Sequence, residues 1–397
     1  MSETLVGPPA VRSSAASALP TLAMAAATGM GVANIYYNQP MLGLIERDMP
    51  GPLSAMLPMV TQLGYALGLV LLVPLGDLLE RRRLIVVQFL ALAVALGLLA
   101  AAPDAGLLLV AAAAVGALST VAQQIVPFAA HLASPEKRGA VVGTVMSGLL
   151  AGILLSRTLA GVISAHAGWR AMFVLAVPVA LLAGGLMRWR LPRSQPEAGL
   201  GYGALLISME KLWREFADLR ISAITQALIF GAFSAFWSML ALHLQEPRYG
   251  LGAATAGLFG VIGLVGVGAA PLAGRVADRH GPRPMIVAGA LTVLGGWLIL
   301  RLWDTLAGMV VGVILLDFGV QIALISNQHI VYALRPEARS RLNTVFMSVM
   351  FLGGALGSAG AAWGWEHAGW AGVALIGLAA SGGAAAVQLI FARKIRG

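Results

Sequence analysis

The sequence predicts an all-α membrane protein, with twelve transmembrane helices in two pseudo-symmetric six-helix bundles. Three observations predict it. First, 59% of the 397 residues are hydrophobic and only 11% charged, with a mean hydropathy of +0.85, well outside the range of soluble domains. Second, the charges sit in short clusters between apolar runs of about 20 residues, each long enough to cross a hydrocarbon core of ~30 Å as a helix. These runs do not alternate apolar and polar as barrel strands would, and backbone groups in lipid must be satisfied within the segment, so helices remain. Third, blocks recur at one offset of 201 residues: Asp77 with Asp278, Pro135, Glu136 and Arg138 with Pro336, Glu337 and Arg339, Met146 and Ser147 with Met347 and Ser348, and His166 and Trp169 with His367 and Trp370. Independent blocks at a single offset indicate duplication.

In chain order, residues 1–16 are rich in Ser, Ala and Pro without a cleavage pattern and are expected to form a disordered cytoplasmic tail. Six spans follow in a first bundle, 17–190: 17–43, 55–79, 84–103, 105–133, 139–165 and 170–190. Residues 191–219 are the longest polar connection, and in its second part Leu212, Trp213 and Phe216 stand among charged residues in the pattern of an interfacial helix or of an ordinary amphipathic linker. A second bundle, 220–397, carries spans at 220–246, 251–276, 284–303, 305–334, 340–364 and 370–392.

The net charge of +9 does not indicate nucleic acid, because of where the cations fall. Of the 26 Lys and Arg, 21 lie in the two tails and in alternate connections, four (Arg47, Arg170, Arg248, Arg301) in the others, and Arg157 inside a span. The positive-inside rule then puts both termini on the cytoplasmic side, as expected for a multi-pass protein of a bacterial inner membrane whose basic loops face anionic lipid. The chain has no cysteine, so disulfides and thiolate metal sites are excluded. There is no Walker-type loop for ATP, no metal-ligand spacing and no nucleophile elbow, so neither enzyme chemistry nor a cofactor or metal is expected.

Gly274, Asp278, Arg279, Gly281 and Arg283, between the eighth and ninth spans, resemble the signature that follows the second helix of each half in the major facilitator superfamily. The first copy departs from it, with Val73, Leu78 and Glu80 at the matching positions. Asn34, Tyr37, Asn38, Gln39 and Pro40, Ser156 with Arg157, and Asn327 and Gln328 with Asn343 resemble its bacterial drug/proton antiporter branch, near purine-nucleoside and sugar exporters. There a Gly-Pro pair normally stands where Ser156 and Arg157 stand here, and the arginine many exporters carry on the fourth span is absent. The resemblance implies two halves rocking about a central site, helices 1, 4, 7 and 10 lining the pathway, and a gating latch at Asp77, Arg81, Arg138, Asp278, Arg279 and Arg339.

Two formally charged residues lie deep in apolar runs, Arg157 in the fifth span and Asp317 in the tenth. Each costs about 2.5–3.5 kcal/mol at mid-helix, so they should face a cavity or each other. Desolvation favours the neutral form of a carboxyl, which makes Asp317, with Arg157, the candidate proton-coupling group; the alternative is a structural ion pair. His131 and His329, near cytoplasmic helix ends, are expected to be hydrogen-bonded bystanders, with a proton relay as the alternative. Polar stripes mark candidate substrate contacts: Asn34, Tyr37 and Asn38 on the first span, Gln62 and Tyr65 on the second, Gln124 with Thr120 and His131 on the fourth, Arg157, Trp237 on the seventh, Gln321, Asn327 and Gln328 on the tenth, and Asn343. The expected activity is proton-coupled efflux of a small organic molecule by a monomer whose partners are substrate, protons and membrane lipids. Uptake or facilitated passage of an organic anion held by Arg157, and a non-transporting receptor or scaffold, are the alternatives.

Overall fold

The computed structural model describes residues 15–194, 201–263 and 281–394, and all its regular elements are helices. Among the described residues nine helical segments are long and apolar enough to cross a membrane. In order the helices are α1 (Ala15–Ala33), α2 (Asn38–Asp48), α3 (Leu57–Leu71), α4 (Arg81–Ala100), α5 (Ala105–Leu118), α6 (Val121–Leu132), α7 (Arg138–Ala167) and α8 (Trp169–Arg190). Then come α9 (Tyr202–Glu215), α10 (Ala217–Leu244), α11 (Ala253–Ile262), α12 (Pro282–Leu302), α13 (Leu306–Leu334) and α14 (Arg339–Lys394).

The expected continuous first span, 17–43, is broken. Residues 34–37 form a turn closed by the Tyr36 N–H on the Ala33 carbonyl at 3.1 Å, and α2 starts at Asn38. Pro40 supplies the reason: it has no N–H for the Tyr36 carbonyl, and its ring would collide with that oxygen in a straight helix. The fourth span bends between α5 and α6, where the Ser119 and Thr120 hydroxyls bond back to the Val115 and Ala117 carbonyls at 2.7 and 2.6 Å. Ala368 and Gly369 take non-helical φ/ψ, with Gly369 at φ 57°, and Gly364 and Gly372 stand in backbone contact, so α14 comprises two helices that double back at a tight turn where the loop between 364 and 370 is expected. The span expected at 251–276 is described only as far as Gly263, and the signature residues Gly274, Asp278 and Arg279 lie outside the described residues.

With little hydrophobic force between helices in lipid, close backbone approach at small residues holds them together. Gly29 of α1 rests on Gly148 of α7, where an added Cβ would stand 2.5 Å from the carbonyl oxygen, and Gly231 of α10 rests in the same way on Gly353 of α14. The repeated blocks also make repeated bonds. Arg138 and Arg339 each donate Nε to a carbonyl at the end of the preceding helix, Ala130 at 3.1 Å and Tyr332 at 3.0 Å. His166 and His367 each bond the carbonyl four residues earlier at 2.8 Å, and Gly168 and Gly369 both take positive φ. Glu80 caps α4 by accepting from the Arg82 and Arg83 amides.

The linker does contain a helix. Leu205, Met209 and Leu212 of α9 are buried, the Tyr202 hydroxyl donates to the Leu71 carbonyl at 2.8 Å, and Glu215 pairs with Arg335, so α9 straps the arginine-rich face of the bundle.

Candidate functional site

A cavity of about 330 Å³ lies between the halves, lined by α1, α3, α6 and α7 on one side and by α10, α13 and α14 on the other. Its apolar wall includes Phe230, Phe233, Met146, Met347, Met350 and Phe351, and the Tyr65 ring packs at a tilt against Phe351, centroids 4.3 Å apart, across the halves. Nearer the arginine-rich face lies a second hollow of about 610 Å³, whose lining includes Asp77, Arg81, His131, Arg138, Glu337 and Arg341.

The opposite face is sealed. Gln62 donates to Ser358 at 2.9 Å and accepts from Ser234 at 3.0 Å, Thr158 donates to the Gly257 carbonyl at 3.1 Å, and Arg47 reaches Gln245 at 3.2 Å. Gly161 and Gly257 bring α7 and α11 into backbone contact, so a Cβ on Gly161 would stand 2.9 Å from the Gly257 Cα. The site is therefore closed on one face and hollow toward the arginine-rich one.

Arg157 and Asp317 both line the cavity and are 2% and 8% exposed, so neither points at lipid. They do not form the expected ion pair. Each feels the other's charge, but no nitrogen–oxygen distance falls within 4.0 Å, because Arg157 is held elsewhere. Its Nε donates to Gln39 Oε1 at 2.8 Å, and its guanidinium carbon lies 4.1 Å from the centroid of Trp237 and 4.6 Å from that of Tyr36. Gln39 is presented by the first turn of α2 and Tyr36 by the break before it, so the Pro40 interruption builds this cradle. Arg157 Nη2, Trp237 Nε1 and Asp317 Oδ1 are buried without a hydrogen-bond partner among the described residues. Trp237 stands behind the cavity wall with its indole toward the Asp317 carboxyl, so Arg157 Nη2 and Asp317 Oδ1 are the donor and the acceptor left beside the cavity.

The candidate residues divide by place. Tyr65, Arg157, Asp317, Gln321, Gln328 and Asn343 line the cavity. Asn34 does not: its amide donates to the Met30 and Gly31 carbonyls at the helix break. Tyr37 packs edge-on against Phe173, and Asn38 donates to Thr61 at 2.9 Å. Gln62 belongs to the seal, and Trp237 backs Arg157. Gln124 donates to Gln88 at 2.6 Å, and Asn327 to Gln226 at 3.1 Å, each tying helices of one half. The residues that face the cavity are Tyr36, within the turn at 34–37, and Gln123, while their neighbours Tyr37 and Gln124 are taken up by Phe173 and Gln88. Tyr332 lines it too and donates to Asn343 at 2.9 Å. Pro40 was the one sequence signal that could have located the first break.

Among the latch residues, Arg81 pairs with Asp77 at 3.3 Å and donates Nε to the Gly76 carbonyl at 3.0 Å. Arg138 and Arg339 close their own loops. His131 lines the outer hollow, and His329 is exposed.

Sequence reasoning passed over one cluster on the sealed face. His243 is fully buried and stacked on Trp370 at 3.9 Å, with its ring nitrogens 2.8 Å from Glu246 and 3.1 Å from Asp304. Arg248 joins both carboxylates, at 3.1 and 2.6 Å, and the Tyr249 hydroxyl donates to Asp304 at 2.9 Å. Partial burial would raise the Asp304 carboxyl, but the bonds from Tyr249 and Arg248 and the neighbouring charges hold it below the ordinary carboxylate range.

The Major Facilitator Superfamily model matches residues 10–276 and 222–396. The chain belongs to that superfamily. Its relatives include the uncharacterized transporter YgaY of Escherichia coli O157:H7, 42% identical over 359 residues covering 89% of this chain and 91% of YgaY. Another is the Streptomyces coelicolor "Probable transporter SCO4007", 35% identical over 90% of this chain and 84% of that protein. Among solved structures, a bacterial homologue of the human lysosomal transporter Spinster, in an inward-facing and unoccupied conformation, matches with a TM-score of 0.78 over 96% of this chain and 98% of that one, at 13% identity, and so supports the fold. The chain is a multi-pass membrane transporter of the major facilitator type, and neither its relatives nor its fold are those of enzymes.

Proposed function

We propose that this transporter exports a small, flat organic molecule in exchange for protons, with its arginine-rich face in the cytoplasm and Asp317 as the proton carrier. The observation that supports the proposal is that Arg157 and Asp317 line one aromatic cavity without forming an ion pair with each other, each with one polar atom that has no partner among the described residues. When ionised, Asp317 Oδ1 can accept a hydrogen bond from a substrate N–H or O–H. A proton on the same carboxyl removes that acceptor, so proton and substrate compete, which is the requirement for antiport. Arg157 Nη2 supplies a donor for a substrate carbonyl or ring nitrogen, and Tyr36, Tyr65 and Phe233 supply faces for a planar ring. Substrate taken up from the open side is released on the other when the seal at Gln62, Ser234 and Ser358 parts and the halves rock.

The buried free Nη2 of Arg157 also supports a second reading, entry of an organic anion. There protonation of Asp317 would leave the arginine uncompensated, and anion and proton would bind together. Proton direction separates the two. Nucleosides, aromatic amines and organic acids are first screened for thermal stabilisation of the purified chain. A stabilising compound is then added outside proteoliposomes holding a pH dye. Antiport makes the lumen alkaline as substrate enters, and Asp317→Asn abolishes that signal while substrate counterflow persists. Acidification of the lumen supports the anion reading, and flux without proton movement in the wild type rules out both.

A further inference from the structure

Away from the transport pathway, α4 and α8 meet at the arginine-rich end in a groove of about 520 Å³ lined by Glu80, Arg82, Arg83, Val86, Val87, Arg188 and Arg193. Four arginines face one carboxylate, and that carboxylate is already committed. Glu80 Oε1 accepts from the Arg82 and Ser194 amides, both at 3.1 Å, and Oε2 from the Arg83 amide at 2.9 Å, so Glu80 caps the helix and forms no ion pair with the guanidinium groups. Among the described residues only the Arg82 guanidinium has a protein partner, the Leu191 carbonyl at 3.2 Å. Those of Arg83, Arg188 and Arg193 have none.

The groove continues into an apolar track. Val87, Leu90 and Val94 form one exposed stripe of α4, and Leu182 and Trp189 stand exposed on α8. From Val87 to Val94 the stripe rises about 10 Å at ~1.5 Å per residue, into the depth of an acyl chain. Trp189, with Arg190 stacked 3.9 Å from its ring centroid, has the form of a residue at the membrane boundary. An inorganic anion would use the arginines alone; a lipid uses both the arginines and the track.

We propose that this groove is a binding site for an anionic membrane phospholipid, with its phosphodiester among Arg83, Arg188 and Arg193 and one acyl chain along Val87, Leu90 and Val94. Arginine forks match phosphate oxygens in number and geometry, and basic pockets between membrane helices suit such headgroups. Because α4 and α8 belong to one half and the Arg82 bond to Leu191 joins them, the site persists while the halves move.

Native mass spectrometry of the full-length chain, purified in detergent and titrated with phosphatidylglycerol or phosphatidylcholine, tests this. The wild type should bind phosphatidylglycerol in preference. Replacing Arg83, Arg188 and Arg193 by Gln should lower that affinity roughly a hundredfold, and Arg188→Gln alone by several-fold. The same replacement of Lys137, Lys211 and Arg214, exposed basic residues of the same face, should leave it unchanged. Melting of each variant in phosphatidylcholine reports its fold, and Arg188→Gln carries the test if the triple variant does not fold. Equal loss in both triple variants, undiminished binding in the groove variants, or displacement of the lipid by millimolar inorganic phosphate would each overturn the proposal.

Discussion

Arg157 shows why one residue can be both costly and indispensable. A guanidinium at mid-helix costs about 2.5–3.5 kcal/mol to place in the membrane, and here Gln39, Tyr36 and Trp237 offset that cost while one nitrogen stays free. A planar cation held against the rings of Tyr36 and Trp237 is not replaced by an ammonium. Arg157→Lys is therefore expected to fold but to bind substrate about tenfold more weakly, given ~0.5–2 kcal/mol per cation–π contact; calorimetric titration with the compound found by the thermal screen checks it, and wild-type affinity would show that stacking is irrelevant. That Arg157 and Asp317 are special was legible in the sequence, since they alone are formally charged deep in apolar runs. That they stand apart was not. Depth along two helices says nothing about which way a long side chain is drawn, and Gln39 and the aromatic rings draw Arg157 away.

At the scale of elements, the interruptions matter more than the helices. The break before Pro40 turns Tyr36 and Gln39 toward Arg157 and hands Tyr37 to the core of its own half. Pro40→Ala would return an N–H to the Tyr36 carbonyl and favour a straight helix; ligand-dependent stabilisation of the purified chain is expected to shrink while its own melting temperature holds or rises. On the sealed face the end of α10 is pinned by His243 to Glu246 and Asp304. Because Asp304 lies below the ordinary carboxylate range, its contribution to stability is complete above the unfolded-state value and is lost as pH falls through the folded one. Melting curves of the wild type and Asp304→Asn should therefore differ most near neutral pH and converge in acid below about pH 4. A gap that stays constant with pH would show that the carboxylate's charge contributes nothing. Gln123 was missed because the choice between two adjacent glutamines of α6 is made by packing: Gln124 is drawn to Gln88 of α4, and Gln123 faces the cavity.

For the whole molecule, the seal between α7 and α11 and the hollows toward the arginine-rich face describe one end of an alternating cycle. Gly161 and Gly257 permit the closed seam because neither carries a Cβ. Gly161→Leu should wedge it and shift the population toward opening on the sealed face; overpacking of this kind typically costs about 1–3 kcal/mol, enough to change a population roughly 5- to 150-fold. The chain has no cysteine, so single cysteines report accessibility cleanly. A cysteine at Ser234, in the seal at Gln62, should react slowly with a membrane-impermeant maleimide applied to the sealed face and faster in the Gly161→Leu background. A cysteine at Gln328, in the cavity wall, should lose reactivity from the arginine-rich face in that background. Unchanged rates at both positions would mean that the seam does not govern access.

The sequence by itself determined that the chain is helical, membrane-spanning and duplicated, because hydropathy, charge alternation and a fixed offset are properties of a line of residues, and the segment from Gly274 to Arg283 supplied the resemblance to the major facilitator superfamily. It also singled out Arg157 and Asp317, because a charge deep in an apolar run is costly enough to need a partner or a cavity, whichever residues supply it. Which polar groups share a cavity was decided only by the tertiary structure. The choice between Gln123 and Gln124, and the competition of Gln39, Tyr36 and Trp237 for one guanidinium, arise from contacts between segments far apart in the chain, and one-dimensional periodicity carries no record of them.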